Sequence, residues 1–524
     1  MRGYGFLLLL LAFVVPAQAA APNGAPVGAA GAAAPGFDAA LVTQVYTAAL
    51  GFIVPRALDP VTVPQLTVWG LRGITALDPD LTAALRSGRL VLDRRQRTLW
   101  TAPAPMGEAP GSWAQAATAM TVVAWHASAA VRRAGTQGVI GAFFDEMFNH
   151  LDPYSRYVPP VAAAAGEAEL EGSAGLGLTL SVRGPAVVAA GVVPDGPAAR
   201  AGLRIGARIL AVDGKAVTAR GLAQAGAAIA GPVGSNVLLR WQPRRGPPRQ
   251  ARIVRALVPP QSVFSERLAH MLILRVVRFN RSTEADLAAP IAQAMAAHPR
   301  PDGIVIDLRG NPGGLLREAV TTADVLLPAG VVAITAGRDP AANWIWRSTR
   351  GEAAPGVPVV VLVDGRTASA AEVLAAALAD RGRAVVVGSA TFGKGLVQTF
   401  TDLPGGAELF VTWSRILAPR GWPLQGLGVL PQICTSRGEQ AVERELQALN
   451  AGIAPMAAAI ARERASRAPV PAAEAVAIRS ACPAAVGQEI DLEVAHFLIE
   501  NPAAYVTALL PPLVGAEYGS AGSQ

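Results

Sequence analysis

The N-terminal part of the chain carries a helical pattern of hydrophobic positions. Over 38–165, apolar side chains recur every three or four residues, the spacing that places them on one face of an α-helix. Four stretches follow this pattern: VTQVYTAALGFIV, LTVWGLRGITAL, ATAMTVVAWHASAAVRR and GVIGAFFDEMFNHL. Two helical runs end at Leu-Asp-Pro, where aspartate favours a turn and proline stops a helix. We therefore predict a helical N-terminal region over 38–165.

The pattern changes at about residue 172, where glycines become frequent and the apolar runs become short. GLGLTLSV alternates apolar and polar residues, as a half-buried strand does. A further short apolar run ends at Asp213-Gly214, a turn signal, and two short helical runs lie at 197–203 and 219–230. The pattern predicts a small β-rich domain with two helices over 170–257.

A third pattern begins at about residue 258, where short buried strands alternate with helical runs. The strand-like runs GIVIDLR, VPVVVLVD and RAVVVGS are separated by helical runs of 10–15 residues. Such alternation is typical of a parallel sheet covered by helices. We predict an α/β domain over 258–435 and a helical C-terminal region over 436–524, so the expected fold class is multidomain α+β.

The extreme N-terminus has the pattern of an export signal. Arg2 precedes the apolar run FLLLLLAFVV, Pro16 ends it, and Ala-Gln-Ala follows. The run is about ten residues long, half of what a membrane-spanning helix needs. A signal peptide over 1–19 is therefore favoured over an uncleaved anchor, followed by a flexible leader over 20–37. We expect an exported, periplasmic protein and leave peripheral membrane contact open.

Composition excludes several functional classes. Hydrophobic residues form 52% of the 524 residues and charged residues 16%, which excludes a wholly disordered chain. The net charge is +7, but the basic residues are dispersed and not interleaved with aromatic residues, so nucleic acid is not an expected partner. The five histidines are scattered and form no cluster with cysteine, so we expect no metal and no other cofactor.

The two cysteines, Cys434 and Cys482, are candidates for one disulfide in an oxidising compartment. A disulfide that closes the loop between these two positions would stabilise the fold by about 4 kcal/mol in the chain-entropy model. Two unpaired buried thiols are the alternative, and the sequence does not decide between them.

Lysine occurs only at Lys215 and Lys394, and the rest of the 45 basic residues are arginines. Arginine stays protonated near neutral pH, whereas a desolvated lysine can accept a proton. Lys394 lies between glycines in ATFGKGLVQTF, so it is a candidate general base; a surface lysine in a turn is the alternative. Gln398 could orient its amine if this segment were helical. In a strand the two residues would be about 13 Å apart.

Ser369 is a candidate nucleophile. It follows a buried strand and a glycine-containing turn, and a helix begins directly after it, where backbone amides favour negative charge. The same pattern is explained by helix capping, because Ser369 and Glu372 have the spacing of a capping box.

Two glycine-rich segments could present backbone amides to an anion. Asn311-Pro312-Gly313-Gly314 is a turn before a helix and could hold an oxyanion, although turn formation explains it equally well. Gly175-Leu176-Gly177-Leu178 opens the β-rich domain and could bind a peptide carboxylate beside a strand edge. A glycine-rich strand entry is the alternative for this second segment.

Taken together, these motifs resemble the C-terminal processing peptidases, also called tail-specific proteases. The resemblance covers roughly 38–434. HLDPYSRYVPP is similar to their segment before a PDZ domain, and GLGL with GPAARAGLRIGARILAVDGKAV is similar to that domain. DLRGNPGGLLREA, TASAAEVLAAALADRGRAVVVGSATFGKGLVQ and GWPLQGLGVLPQI are similar to their protease core.

The resemblance implies a crotonase/ClpP-like core with a Ser–Lys mechanism. It implies that Ser369 is the nucleophile, Lys394 its base and Gln398 the residue that orients the lysine. The oxyanion hole would use the amides of Ala370 and of Gly313 or Gly314. The PDZ domain would capture a substrate C-terminus through Gly175–Leu178. Arg366-Thr367 stands where this family usually has Gly-Ser, which leaves the substrate preference open.

We therefore expect an exported serine endopeptidase that binds protein C-termini and cleaves through an acyl-enzyme. The first alternative is a non-catalytic PDZ scaffold that binds tails of envelope proteins, and the second is a crotonase-like enzyme for a small acyl substrate. The need for an adaptor and the oligomeric state stay open.

Overall fold

The computed structural model describes residues 36–512. The predicted signal peptide and nearly all of the predicted leader lie outside the described residues, as does the end of the predicted C-terminal region. The described chain has four parts: a mainly helical region, a small β domain, an α/β core and a helical C-terminal region.

The N-terminal region packs helices around one apolar core. Apolar side chains from all four helices, such as Tyr46, Leu66 and Phe144, are fully or almost fully buried in it. The elements are α1 (Ala39–Arg56), α2 (Val63–Leu77), β1 (Leu81–Arg86), β2 (Arg89–Arg94), β3 (Arg97–Pro103), α3 (Pro110–Ala127) and α4 (Ala129–Phe148).

The prediction that 38–165 is helical is wrong for 81–103, which forms the antiparallel sheet β1-β2-β3. Both connections are two-residue turns, Ser87-Gly88 and Arg95-Gln96, in which all four residues have positive φ. Such turns match the twist of a β-hairpin. The three strands are only six or seven residues long and have exposed arginines at their ends. The alternation of apolar and polar residues was therefore too short to detect.

The run ATAMTVVAWHASAAVRR, predicted as one helix, is split at Ser128. The Ser128 hydroxyl accepts the amides of Ala130 and Val131, which caps the N-terminus of α4. A serine inside a helical pattern therefore begins a new helix here, as its capping preference allows.

Helices α2 and α4 approach each other at two glycines. A Cβ on Gly73 would lie 2.0 Å from the carbonyl oxygen of Ala142, and one on Gly70 would lie 2.5 Å from the ring of Phe143. Since a backbone oxygen cannot rotate away as a side chain can, Gly73 fixes the spacing of these helices.

The small β domain has its own core and an open sheet edge. Its sheet has the order β11-β10-β8-β7-β6, so β6 is an edge strand, and α7 lies beside it. The elements from the end of the N-terminal region through this domain are β4 (Arg156–Val158), α5 (Pro160–Leu170), β5 (Ser173–Gly175), β6 (Leu178–Arg183), β7 (Ala186–Val192), α6 (Pro197–Arg200), β8 (Arg208–Val212), β9 (Lys215–Ala216), α7 (Leu222–Ile229), β10 (Asn236–Gln242), β11 (Arg249–Val254) and β12 (Ala256–Val258).

The α/β core contains two sheets. The central sheet has the order β13-β14-β15-β18-β19-β22 and is parallel except for its edge strand β13, while β17-β16-β21-β20 is antiparallel and also pairs β4. The elements are β13 (Val263–Leu268), β14 (Met271–Val276), α8 (Thr283–Ala296), β15 (Gly303–Asp307), α9 (Leu316–Asp324), β16 (Gly330–Gly337), β17 (Trp344–Ser348), β18 (Val359–Val363), α10 (Ala370–Asp380), β19 (Val385–Gly388), β20 (Leu396–Leu403), β21 (Ala407–Leu417) and β22 (Ile433–Cys434).

Three of the five C-terminal helices within the described residues cover the second face of the central sheet. In β18, Val361 packs in the cluster that contains α10, whereas Val360 and Leu362 pack with Val494 and Leu498 of the C-terminal region. Both faces of the parallel sheet are thus buried, which explains its continuous apolar strands. The helices are α11 (Glu439–Asn450), α12 (Ala457–Ala465), α13 (Ala472–Arg479), α14 (Ile490–Glu500) and α15 (Pro502–Ala508).

A disulfide joins Cys434 at the end of β22 to Cys482 after α13, with a Cα–Cα distance of 5.7 Å. Both side chains are fully buried. The bond therefore ties the C-terminal helices to the central sheet.

Replacing Gly73 by alanine should lower the free energy of unfolding by about 1–3 kcal/mol or more, because the new methyl group overlaps a backbone oxygen. Gly141→Ala is the matched control, since Gly141 lies on α4 and its added Cβ meets nothing within 4 Å. That change should stabilise the protein by roughly 0.5–1 kcal/mol. Denaturant unfolding measures both, and equal stability of the two variants would contradict the packing argument.

Candidate active site

The turn after β18 is fixed by the buried carboxylate of Asp364. Its Oδ1 accepts the amides of Gly310, Arg366 and Thr367 at 2.9–3.0 Å. The Thr367 hydroxyl donates to the carbonyl oxygen of Leu308 at 2.9 Å. The turns that follow β15 and β18 are therefore locked together at the carboxyl edge of the parallel sheet.

Ser369 lies where this turn meets α10. It is the N-cap residue of that helix and has φ 58° and ψ −118°, a conformation that is costly for a residue with a side chain. Its amide donates to Glu372 Oε2 at 2.7 Å, one of the contacts of the predicted capping box. A sharp strand–turn–helix with an unusual backbone at the serine is the arrangement of an exposed nucleophile.

Lys394 lies in an extended, half-buried loop between β19 and β20. A Cβ on Gly395 would lie 2.1 Å from the amide nitrogen of Gln425, so the loop requires glycine there. Burial lowers the pKa of Lys394, and the nearby Arg156 lowers it further, while Glu372 and another acid, Asp152, oppose the shift. A lowered pKa increases the neutral fraction that a general base needs.

The fully buried Glu372 connects the two candidate catalytic residues. Its Oε2 accepts the amides of both Ser369 (2.7 Å) and Lys394 (2.9 Å). Its Oε1 accepts the amide of Gly393 at 2.7 Å and the hydroxyl of Thr391. Burial raises the pKa of Glu372, and these four hydrogen bonds act in the opposite direction. From the sequence, Glu372 is predicted only as part of a capping box, and its contacts with the loop that carries Lys394 were missed.

The side chain of Lys394 is directed to the N-terminal region. Its Nζ lies 4.8 Å from the ring centroid of Tyr154. Within 36–512, no hydrogen bond joins Lys394 Nζ to the hydroxyl of Ser369. Tyr154 was missed as a site residue, although its segment HLDPYSRY was noted as a helix stop and as part of the family resemblance.

Gln398 does not meet the condition set for an orienting role. It lies in strand β20, next to a bulge, and not in a helical turn. Its Nε2 donates to the carbonyl oxygen of Leu396 and to the hydroxyl of Thr412, both at 3.2 Å. A direct contact with Lys394 is thus absent from the described hydrogen bonds, and the catalytic role of Gln398 stays a prediction.

The glycine-rich turn of 311–314 lies directly against Ser369, the candidate nucleophile. A Cβ on Gly313 would be 2.8 Å from Cβ of Ser369. The amide of Gly313 is already engaged, since it donates to Asn311 Oδ1 at 2.8 Å. Among the described contacts, the amides of Gly314 and Ala370 have no acceptor, so these two can serve a developing oxyanion.

The predicted carboxylate-binding loop Gly175–Leu178 lies in the small β domain. The carbonyl oxygens of Leu176 and Gly177 accept the amides of Ala198 and Val193, which fixes the loop at the start of edge strand β6. No hydrogen bond between described residues joins this loop to Ser369 or Lys394. Its role in peptide binding stays a prediction.

Comparison with known proteins agrees with the family resemblance found in the sequence. A model of peptidase family S41 matches residues 270–435, and a model of the PDZ domain matches residues 188–243. The carboxy-terminal-processing protease of Bartonella bacilliformis is 32% identical over 302 residues, 57% of this chain and 69% of that one. The carboxyl-terminal-processing protease of Picosynechococcus sp. is 33% identical over 289 residues, 53% and 69% of the two chains.

The chain also aligns with a solved structure. The photosystem II D1 C-terminal processing protease aligns with 74% of this chain and 97% of its own, at 26% identity and a TM-score of 0.35. The two family models agree with the predicted fold class.

Glu372→Gln should reduce kcat by about 10–100-fold, because an amide NH₂ would face N–H donors and displace Ser369 or Lys394. Steady-state cleavage of a protein substrate measures the loss. Glu445→Gln is the matched control: Glu445 is also buried and accepts a backbone amide, that of Cys434. The control should lose stability but keep kcat, and an equal loss of kcat in both variants would contradict the role of Glu372.

Proposed function

Because this chain belongs to peptidase family S41 and is a serine-type peptidase, we propose that it is an exported endopeptidase that recognises protein C-termini and cleaves by a Ser369–Lys394 mechanism. The observation that carries the proposal is the shared carboxylate oxygen of Glu372, which accepts the backbone amides of both residues. Export through the predicted signal peptide over 1–19 belongs to the same proposal.

The proposed reaction begins with neutral Lys394 taking the proton of the Ser369 hydroxyl as its oxygen attacks a peptide carbonyl. The amides of Ala370 and Gly314 stabilise the oxyanion. Collapse of the intermediate transfers the lysine proton to the leaving amine and leaves an acyl-enzyme ester on Ser369. Lys394 then takes a proton from a water molecule as it attacks the ester, and returns that proton to the Ser369 oxygen as the bond to the acyl group breaks and the new C-terminus is released.

The small β domain supports recognition of an apolar tail. Edge strand β6 has an unpaired side on which an extended peptide can add as a further strand. Leu178 and Leu180 of β6, with Leu222 and Ile229 of α7, pack on the same apolar core. Side chains of a peptide between β6 and α7 would therefore meet an apolar surface.

One observation favours the alternative of a non-catalytic scaffold: Lys394 Nζ lies over the ring of Tyr154 and not at the hydroxyl of Ser369. Catalytic hydrogen bonds are often formed only when substrate is bound, so this position also fits a resting enzyme. The two functions differ in whether cleavage depends on Ser369 and Lys394.

Lys394→Arg should lower kcat/KM by about 10³-fold or more, because a guanidinium cannot accept the serine proton. In the wild type, kcat/KM should rise with pH as Lys394 loses its proton. The lowered pKa of Lys394 places this rise below the pH at which an exposed lysine would titrate.

Mass-spectrometric mapping of the products from a reporter with an apolar tail measures the effect of Lys394→Arg. Lys215→Arg is the control, since Lys215 is exposed in β9 and should leave cleavage unchanged. Ser369→Ala should be as inactive as Lys394→Arg. Cleavage that survives in both Ser369→Ala and Lys394→Arg would refute the mechanism, and tail binding without cleavage by any variant would favour the scaffold.

Tail recognition is tested with three reporters that differ only at the C-terminus. A free carboxylate after an apolar residue should give the highest kcat/KM. Amidation of that carboxylate, or aspartate as the last residue, should lower it by about tenfold or more, since each removes an interaction of the proposed groove. Equal cleavage of all three would show that the β domain does not select substrates.

A further inference from the structure

A turn from the N-terminal region forms part of the surroundings of Lys394. The carboxylate of Asp152 accepts the amides of Tyr154 (2.9 Å) and Ser155 (3.0 Å) and the hydroxyl of Ser155 (2.5 Å). These contacts fix the turn 152–155 and, with it, the backbone of Tyr154. The turn comes before the PDZ domain in sequence, whereas Lys394 comes after it.

The same turn is anchored to the core through Thr412 of β21. The Thr412 hydroxyl donates to Asp152 Oδ1 at 2.6 Å, and its amide donates to the hydroxyl of Ser155 at 3.0 Å. Gln398 donates to that Thr412 hydroxyl at 3.2 Å. A continuous set of hydrogen bonds therefore runs from Gln398 through Thr412 and Asp152 to the backbone of Tyr154.

The ring of Tyr154 lies beside the segment that carries Lys394. The side chain of Gln425 lies close to the Tyr154 hydroxyl and lowers its pKa, and Gln425 Oε1 accepts the amide of Gly395, next to Lys394. Burial raises the pKa of Tyr154, so the ring stays neutral at physiological pH. Lys394 Nζ lies 4.8 Å from the centroid of this ring, within the range of a cation–π interaction.

We propose that Tyr154 is a positioning residue for Lys394: its ring, carried by the turn that Asp152 fixes, holds the lysine ammonium in the resting enzyme. The proposal rests on the proposed function of Lys394 as the base. It assigns to Gln398 an indirect role, in which Gln398 supports Tyr154 through Thr412 and Asp152 without touching the lysine. It also makes the N-terminal region a contributor to the active site.

The charged groups around Lys394 define the expected effect of removing the ring. The positive charge of Arg156 in β4 disfavours the protonated form of Lys394, while the carboxylates of Glu372 in α10 and Asp152 in the turn favour it. A cation–π interaction favours the ammonium as well. Replacing Tyr154 by leucine keeps an apolar neighbour but removes the π face, so the pKa of Lys394 should fall by about 0.5–1 pH unit.

The scarcity of lysine allows a direct measurement. Full-length mature protein labelled with ¹³C at lysine Cε should give two side-chain NMR signals, from Lys215 and Lys394, and Lys215→Arg assigns them. The Lys394 signal should carry an upfield ring-current shift in the wild type and in Tyr154→Phe. That shift should be lost in Tyr154→Leu, and the titration midpoint should move to lower pH.

Kinetics give a second readout on the same variants. In Tyr154→Leu, the acid limb of kcat/KM should move to lower pH with the NMR midpoint, and the plateau should fall several-fold because the base is less well positioned. Tyr154→Phe should stay close to the wild type. Tyr157→Leu is the control, since Tyr157 lies in the same segment but stacks on Phe144.

Three outcomes would overturn the proposal: an unchanged Lys394 signal and midpoint in Tyr154→Leu, equal changes in Tyr154→Phe, or equal changes in Tyr157→Leu. The first excludes the ring contact, the second assigns the effect to the hydroxyl, and the third assigns it to general loosening of the segment. Failure of the proposed function looks different, because Ser369→Ala and Lys394→Arg would then retain cleavage whatever the NMR signal of Lys394 shows.

Discussion

The carboxylate of Glu372 is the interaction on which the candidate site depends. Ser369 and Lys394 belong to different elements, and their backbones are held by the same oxygen. The residue is fully buried, and its four donors fit an ionised carboxylate. Protonation would turn one acceptor into a donor and force a neighbour to move. The relative positions of Ser369 and Lys394, the proposed nucleophile and base, therefore depend on the ionisation of one carboxyl group that is buried from solvent.

The C-terminal region supports the same site from the other side. The carbonyl oxygen of Ala485 accepts the amide of Gly365 at 2.7 Å, and the amide of Gly487 donates to Asp364 at 3.2 Å. Both contacts reach the turn that carries Ser369, and the Cys434–Cys482 bond holds the segment that makes them. The C-terminal region thus covers one face of the central sheet and helps to fix the turn that carries Ser369.

Sequence patterns predicted the elements that depend only on residues close together in the chain. The continuous apolar run of β18, the turn after it and the start of α10 at Ala370 follow from residues within a 20-residue window. The contact of Tyr154 with Lys394 joins positions 240 residues apart in the sequence, and no periodicity encodes it. Gln398 shows the same limit: the sequence left both a helix and a strand open for its segment, and pairing of β20 with β21 imposes the strand.

The nearly complete use of arginine instead of lysine has a physical consequence at this site. Arg156, held over the ring of Phe410 at 4.1 Å, keeps its charge at every pH that the protein meets, and that charge lowers the pKa of Lys394. A lysine at 156 could itself lose its proton when buried and would then stop opposing the Lys394 ammonium. A fixed positive charge beside a titratable one is therefore a stable way to favour the neutral base. The aromatic face of Tyr154 and the carboxylates of Glu372 and Asp152 act in the opposite direction, and the proton affinity of Lys394 is the balance of these neighbours and of its burial.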